Sequence, residues 1–515
     1  WAVRVFSVAS DSENGENGAL YSKEDLEIKG GGTLYIHSQA GHGIKASDNL
    51  SIEDGIIHIS SSGDGVHIND TFQMSGGAVT ITAGADGVDS ESIVIVTGGN
   101  LNVTTTGEPV ITEPSASDSG TPQGFPGAQT ESADVEFAVS SKGIKADWML
   151  VLSGGDITVA SSDHAIHCAD EIEITAGVLR LCSNYAKGIS GHGNVTIGGD
   201  DTLINITKST EGIESKDVLT VNGGTIQIIA SDDGMNATGG VAGIEPQFGA
   251  GRPDGGFRRE QSAENADGAT AGERPGAQNP GVFPGDPATG GAPAKGMNPP
   301  SGARGTEQNG TEEITPPDIL PEQNNSADTA LQPDPNRPAP GMGGGNAAGR
   351  KDALIINGGD IEVYAGDDCF DSNGNLVVNG GTIKAVKSNG SFIDANAVFD
   401  PDGTIRIADS ATLVIAAGAS TNRSLNISQN SITIYADTPL EAGDAILVKD
   451  ENGDAVIKYA PKGSYSAVLI ASPQLSIGNT YAVSIGANDY TVVQSEAAVT
   501  VGNAAVQPSG GFGRR

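Results

Sequence analysis

Aromatic side chains are scarce in this sequence, at 4% of 515 residues. That fits an elongated stack of short strands better than a globule built round one aromatic-rich core. There are only three cysteines, Cys168, Cys182 and Cys369. An odd, sparse set makes no disulfide framework, so free thiols are expected. Cationic residues are also few: 28 Lys and Arg stand against 65 Asp and Glu, for a net charge of −37. Such a surface repels nucleic acid and anionic membrane and attracts cations. No apolar run approaches 18 residues, so no transmembrane helix is expected. The opening WAVRVFSVAS lacks the layout of a signal peptide. The chain starts at Trp1 rather than Met and reads as a mature or truncated piece.

Glycine is abundant instead, with 74 copies, and it recurs in order. Gly43-Ile44 returns as Gly65-Val66 and again as Gly87-Val88. The residues that fill the position before this glycine are His42, Asp64, Asp86, Lys142, His164, Lys187, Glu211, Asp233, Asp368 and Ser391. Two places after each stands an apolar residue: Ile44, Val66, Val88, Ile144, Ile166, Ile189, Ile213, Met235, Phe370 and Ile393. Further apolar pairs follow, such as Leu50 with Ile52 and Ile57 with Ile59. Each repeat of about 22 residues therefore holds three short alternating segments bounded by Gly, Asp or Asn. Alternation sends one set of side chains inward. One repeat cannot bury its own apolar residues, but a stack can. The pattern predicts an all-β fold, a parallel β-helix. A leucine-rich repeat has a similar period but needs an LxxLxL pattern that is absent.

The helix is expected over 1–409. A Pro-, Ser- and Gly-rich stretch, 107–138, and a longer one rich in Gly, Pro, Asn and Ala, 239–350, interrupt it and read as disordered insertions. They flank the same short strand of the repeat, and solenoid insertions often cluster on a binding face. Over 410–505 the strands come at shorter intervals, with ENGD as a hairpin turn, and predict a small antiparallel β domain. Residues 506–515 read as a flexible tail.

The motifs SKGIKA, GDGVH, SDDGMNA and GGTI, with GALYSKEDLEIKGGGTLYI and GSYSAVLIASPQLSIGNTYAVSIG, resemble a family of secreted bacterial carbohydrate-binding β-helix proteins. The likeness covers roughly 18–106, 139–238 and 353–490. It implies a right-handed β-helix of the pectate-lyase type, bound calcium, an extracellular or cell-surface location, and binding of acidic polysaccharide or cellulose. A monomer is expected.

Stacking sets the acidic turns of neighbouring repeats over one another. Two carboxylates about 4.8 Å apart repel by several kcal/mol at an effective dielectric near 20. A cation removes that cost, and calcium takes six to eight oxygens from Asp, Asn and carbonyl groups. One calcium cluster is predicted at Asp232, Asp233, Asn236, Asp367, Asp368, Asp371 and Asp394, and a second at Asp64, Asp86 and Asp89. Between them lies a basic zone, Lys142, Lys145, His164, His167 and Lys187, a candidate contact for sugar carboxylates. A non-catalytic polysaccharide-binding protein ranks first. A calcium-dependent lyase would need one of these lysines as base, and no motif singles one out. A cell-surface structural rod is the third reading.

Overall fold

The computed structural model describes residues 4–8, 17–109, 137–239, 351–393, 396–418, 425 and 427–503. Most of the two expected insertions, the expected tail and Asp394 lie outside these residues. Among the described residues there are strands and turns and no helix, and so none long and apolar enough to cross a membrane.

The strands form three parallel ladders. The first is a sheet of very short strands, beginning with Gly18–Ser22, His42–Ala46, Val66–Ile68 and Val88–Ser90. It continues through Ile144–Ala146, Ile166–Cys168, Ile189–Gly191, Ile213–Ser215, Met235–Ala237 and Phe370–Ser372 to Ala397–Pro401. The second begins Leu26–Ile28, Leu50–Ile52 and Thr71–Met74; the third begins Thr33–Ser38, Ile56–Ser61 and Ala78–Ala83. Two long strands, Met149–Ser161 and Glu171–Ser183, run through both of these and join them into one sheet. Each repeat thus gives one strand, or one strand segment, to each ladder.

The apolar column two places after the repeat position is fully buried in the first ladder, from Ile44 to Phe370. Its last member differs from the sequence expectation. Phe370 pairs with Phe399, and Asp371 with Asp400. The two phenylalanine rings stack at 5.3 Å. Ser391–Ile393 instead lies beside Ala397–Pro401 at the ladder's edge. The spacing there lengthens, so counting 22 to 24 residues lands on the wrong segment. The motif itself was present: CFDSNG at 369–374 returns as VFDPDG at 398–403.

Two glycine columns serve the stack for different reasons. At Gly65 a Cβ would lie 2.6 Å from the Gly87 carbonyl and 2.2 Å from Ile81 Cγ2. Close approach between rungs excludes a side chain there. The repeated glycine therefore permits stacking, rather than a left-handed turn. The left-handed residues belong to the second column, such as Gly77 with φ +78°, where a Cβ is penalised by the backbone itself.

Towards the C-terminus the pairing changes direction. Thr412–Ala417 is parallel to Thr382–Lys387 on one side and antiparallel to Tyr465–Ala471 on the other. Ile446–Lys449, Ala455–Tyr459, Thr480–Ile485 and Asn488–Val493 make a four-stranded antiparallel sheet, which shares a second apolar cluster with Val414, Ile432 and Val468 of the larger sheet. All three cysteines are free thiols.

Candidate functional site

The first ladder presents a polar strip two residues wide. Each three-residue strand turns its first and third side chains inward and its middle one outward. Successive middle residues are Lys45, His67, Asp89, Lys145, His167, Ser190, Glu214, Asn236, Asp371 and Asp400. Beside them runs the turn column from His42 to Asp368.

The turn column has a structural task that its sequence did not announce. Its Asp and His side chains accept the backbone N–H of the same position one rung on. The Asp86 amide donates to Asp64 Oδ1 at 3.0 Å, Lys142 to Asp86 Oδ1 at 2.7 Å, Lys187 to His164 Nδ1 at 3.1 Å, and Asp368 to Asp233 Oδ1 at 2.9 Å. The Ala397 amide donates to Asp368 in the same way. Asp and His suit this position because each offers an acceptor on a short stem.

Charge along the strip changes sign in blocks. In the first block His67 Nδ1 lies 3.1 Å from Asp64 and 3.0 Å from Asp89, and Lys145 lies 2.8 Å from Asp89. These contacts hold the Asp64 and Asp89 carboxyls below their ordinary range against the opposing effect of burial, and raise His67 to about 9. Asp86 is pushed up to about 6, first by burial and then by Asp89 and Asp64. Within the predicted trio Asp64, Asp86 and Asp89, two acids are therefore countered by His67 and Lys145. The third is held by the Lys142 amide and the Ser140 hydroxyl.

The residues of the predicted basic zone stand on adjacent rungs, and its lysines are engaged. Lys142 pairs with Asp163 at 3.0 Å, and Lys145 with Asp89. Lys187 is buried against Glu214 at 2.7 Å and Glu211 at 3.4 Å. His164 and His167 stack at 5.2 Å. His167 Nδ1 is buried without a hydrogen-bond partner, and burial drives that ring down to about 2, so it is neutral. Of the two exposed aromatics near this zone, Tyr185 meets Phe137 edge-on and Trp148 stands 58% exposed.

Beyond Glu214 the strip turns acidic. Carboxylate oxygens of Asp232, Asp233 and Asp367 lie within 4.8 Å of one another. Asp233 is pushed up to about 9, by burial first and then by Asp371, Asp368 and Asp232. Asp368 rises to about 8, through burial, Asp400, Asp367 and Asp371. Asp371 rises to about 7, through burial, Asp400, Asp402 and Glu211. Every charge in those three accounts is another carboxylate. Two oxygens here are buried and unpartnered, Asn236 Oδ1 and Asp367 Oδ1. The Asn236 amide nitrogen is directed at Glu211, 3.4 Å away. A donor set made only of oxygen, with two acceptors left open, fits a hard divalent cation such as calcium.

The structure thus brings Asp232, Asp233, Asn236, Asp367, Asp368 and Asp371 together. Glu211, Asp400 and Asp402 join them and were missed. Glu211 stood in the repeat column and was passed over, and Asp400 was hidden by the lengthened last repeat.

A family model described as "Carbohydrate-binding domain-containing protein" matches residues 5–184 and 176–243. These spans hold the basic zone and the Asp232, Asp233 and Asn236 side of the acidic cluster. No curated protein matches the chain, and no solved structure matches it.

Proposed function

We propose that this protein binds polysaccharide outside the cell, without catalysis, on the polar strip of a closed, right-handed parallel β-helix. Calcium at the acidic end is part of that proposal. Asp232, Asp233, Asn236, Asp367, Asp368 and Asp371 would hold the ion. Asp400 takes the place in the ladder that the sequence had given to Asp394. The family match supports a carbohydrate ligand. The observation that carries the calcium reading is the pair of open, buried oxygens, Asn236 Oδ1 and Asp367 Oδ1, among carboxyls raised by burial and by one another.

A bound calcium offers remaining coordination positions to sugar hydroxyls or carboxylates, and here it would offset the repulsion a −37 chain exerts on an acidic polymer. The paired lysines argue for binding over lysis. A general base must lose its proton, and Lys145 is held well above the ordinary lysine range, against the effect of burial, by Asp89.

Isothermal titration with polygalacturonate and with cellulose, each with and without calcium, tests the reading, with absorbance followed for unsaturated product. Calcium-dependent heat without product is the expected result. Product would move the assignment to a lyase. No heat with either polymer would leave a structural rod.

A further inference from the structure

The first block of the strip contains a second constellation, of different chemistry. His42 Nδ1 lies 2.9 Å from Asp64 Oδ2. His67 Nδ1 lies 3.1 Å from that same oxygen and 3.0 Å from Asp89 Oδ2. One nitrogen of each ring and one oxygen of Asp64 lie within 4.8 Å of one another and face a common centre, while Asp89 stands beside it against His67. The two rings stack at 4.7 Å, which restrains both.

The remaining carboxylate oxygens are occupied elsewhere. Asp64 Oδ1 accepts the Asp86 amide at 3.0 Å, and Asp89 Oδ1 accepts Lys145 at 2.8 Å. Outer partners of this kind fix the direction of the inner oxygens, as they do round bound metals.

The centre is also short of protons. His67 Nδ1 carries at most one, yet it meets two carboxylate oxygens. His42 Nδ1 is approached by the Asp64 amide at 3.2 Å. As the acceptor of that bond it brings no proton to Asp64 Oδ2. Three close N···O contacts then share one hydrogen. A cation held by both rings and Asp64 relieves the two contacts to Asp64 Oδ2, and the long amide contact is the one it would weaken.

We infer that His42, Asp64 and His67 form a binding site for a borderline divalent ion of zinc-like chemistry, separate from the all-oxygen cluster. Two imidazoles with one carboxylate, and a fourth position open to water, suit such an ion better than calcium. A tetrahedral zinc with bonds of about 2.0–2.2 Å sets its ligand atoms about 3.3–3.6 Å apart. The contacts from Asp64 Oδ2 to the two rings, 2.9 and 3.1 Å, need open only by about half an ångström to reach it.

The test titrates the full chain, stripped with chelator and then saturated with calcium, using zinc alone and cobalt alone. No polysaccharide is present, so failure here is separable from failure of the carbohydrate reading. The expected result is one tight equivalent, with cobalt giving visible absorption of a four-coordinate N/O site. His42→Asn and His67→Asn should each weaken binding at least tenfold. Long-range ¹H–¹⁵N spectra of the unmutated chain keep the test valid if a variant misfolds. Zinc should shift Nδ1 of His42 and of His67. Binding that leaves those two nitrogens unmoved, or that survives both substitutions, overturns the site. So does a doubly protonated His42 that ignores zinc, since protons would then account for every contact.

Discussion

At Gly65 and Asp86 the physics of single residues can be separated from the repeat that carries them. Gly65→Ala places a methyl against the Gly87 carbonyl and Ile81. Overpacking of this kind costs about 1–3 kcal/mol. A lower melting temperature is expected, whereas Gly31→Ala, with no neighbour closer than Asp54 Oδ2 at 4.0 Å, should melt like the parent. Asp86 is a buried acid raised to about 6. Its folded pKa exceeds the unfolded one, so the folded state favours the protonated form. The ionised carboxyl then costs stability, a cost that grows as pH rises from about 4 and is complete above about 6. Asn keeps an acceptor for the Lys142 amide without the charge. Asp86→Asn in chelator should therefore stabilise by on the order of 2 kcal/mol at pH 8 and change little at pH 4.5. Equal melting shifts at both values would show that the raised pKa is not what the substitution relieves.

Among elements, the three ladders were legible because each rests on a period of apolar residues that a linear sequence displays. The last rung was not, because the step from Asp368 to the next aligned position lengthens by several residues. Phe399→Ala should cost about 3–5 kcal/mol, as removal of a fully buried aromatic does. Ile393→Ala, on a partly buried edge segment, should cost clearly less. Denaturant melts of the two variants decide which residue ends the column. The strip shows the same limit. Which residues share its turn and middle columns could be read by counting. How they neutralise one another could not, because Lys145 meets Asp89 across a gap of 56 positions. Side-chain direction decides such pairings, and spacing does not encode it. The candidate calcium cluster was legible in composition for the same reason, and its partners Glu211 and Asp400 were not.

For the molecule as a whole, a charge of −37 makes cation binding a matter of stability as well as recognition. A ligand that binds only the folded state stabilises it by about 2.7 kcal/mol at a hundred times its dissociation constant. Calcium is therefore expected to raise the melting temperature by several degrees. Asp371→Asn should raise it in chelator, by relieving repulsion from Asp400, and should shrink the further gain from calcium. A variant with the parent's full calcium response would remove Asp371 from the ion's ligands. The one-rung reach of the turn-column hydrogen bonds has a mechanical corollary. The Asp64 carboxylate holds the amide 22 residues on, and among the described residues no turn-column bond skips a rung. A pull on the N-terminal end would load one rung at a time. Each regular rung released would lengthen the chain by at most about 75 Å, and the rungs that carry the two long insertions by more, so force applied along this chain should be relieved one rung at a time while the rungs beyond stay closed.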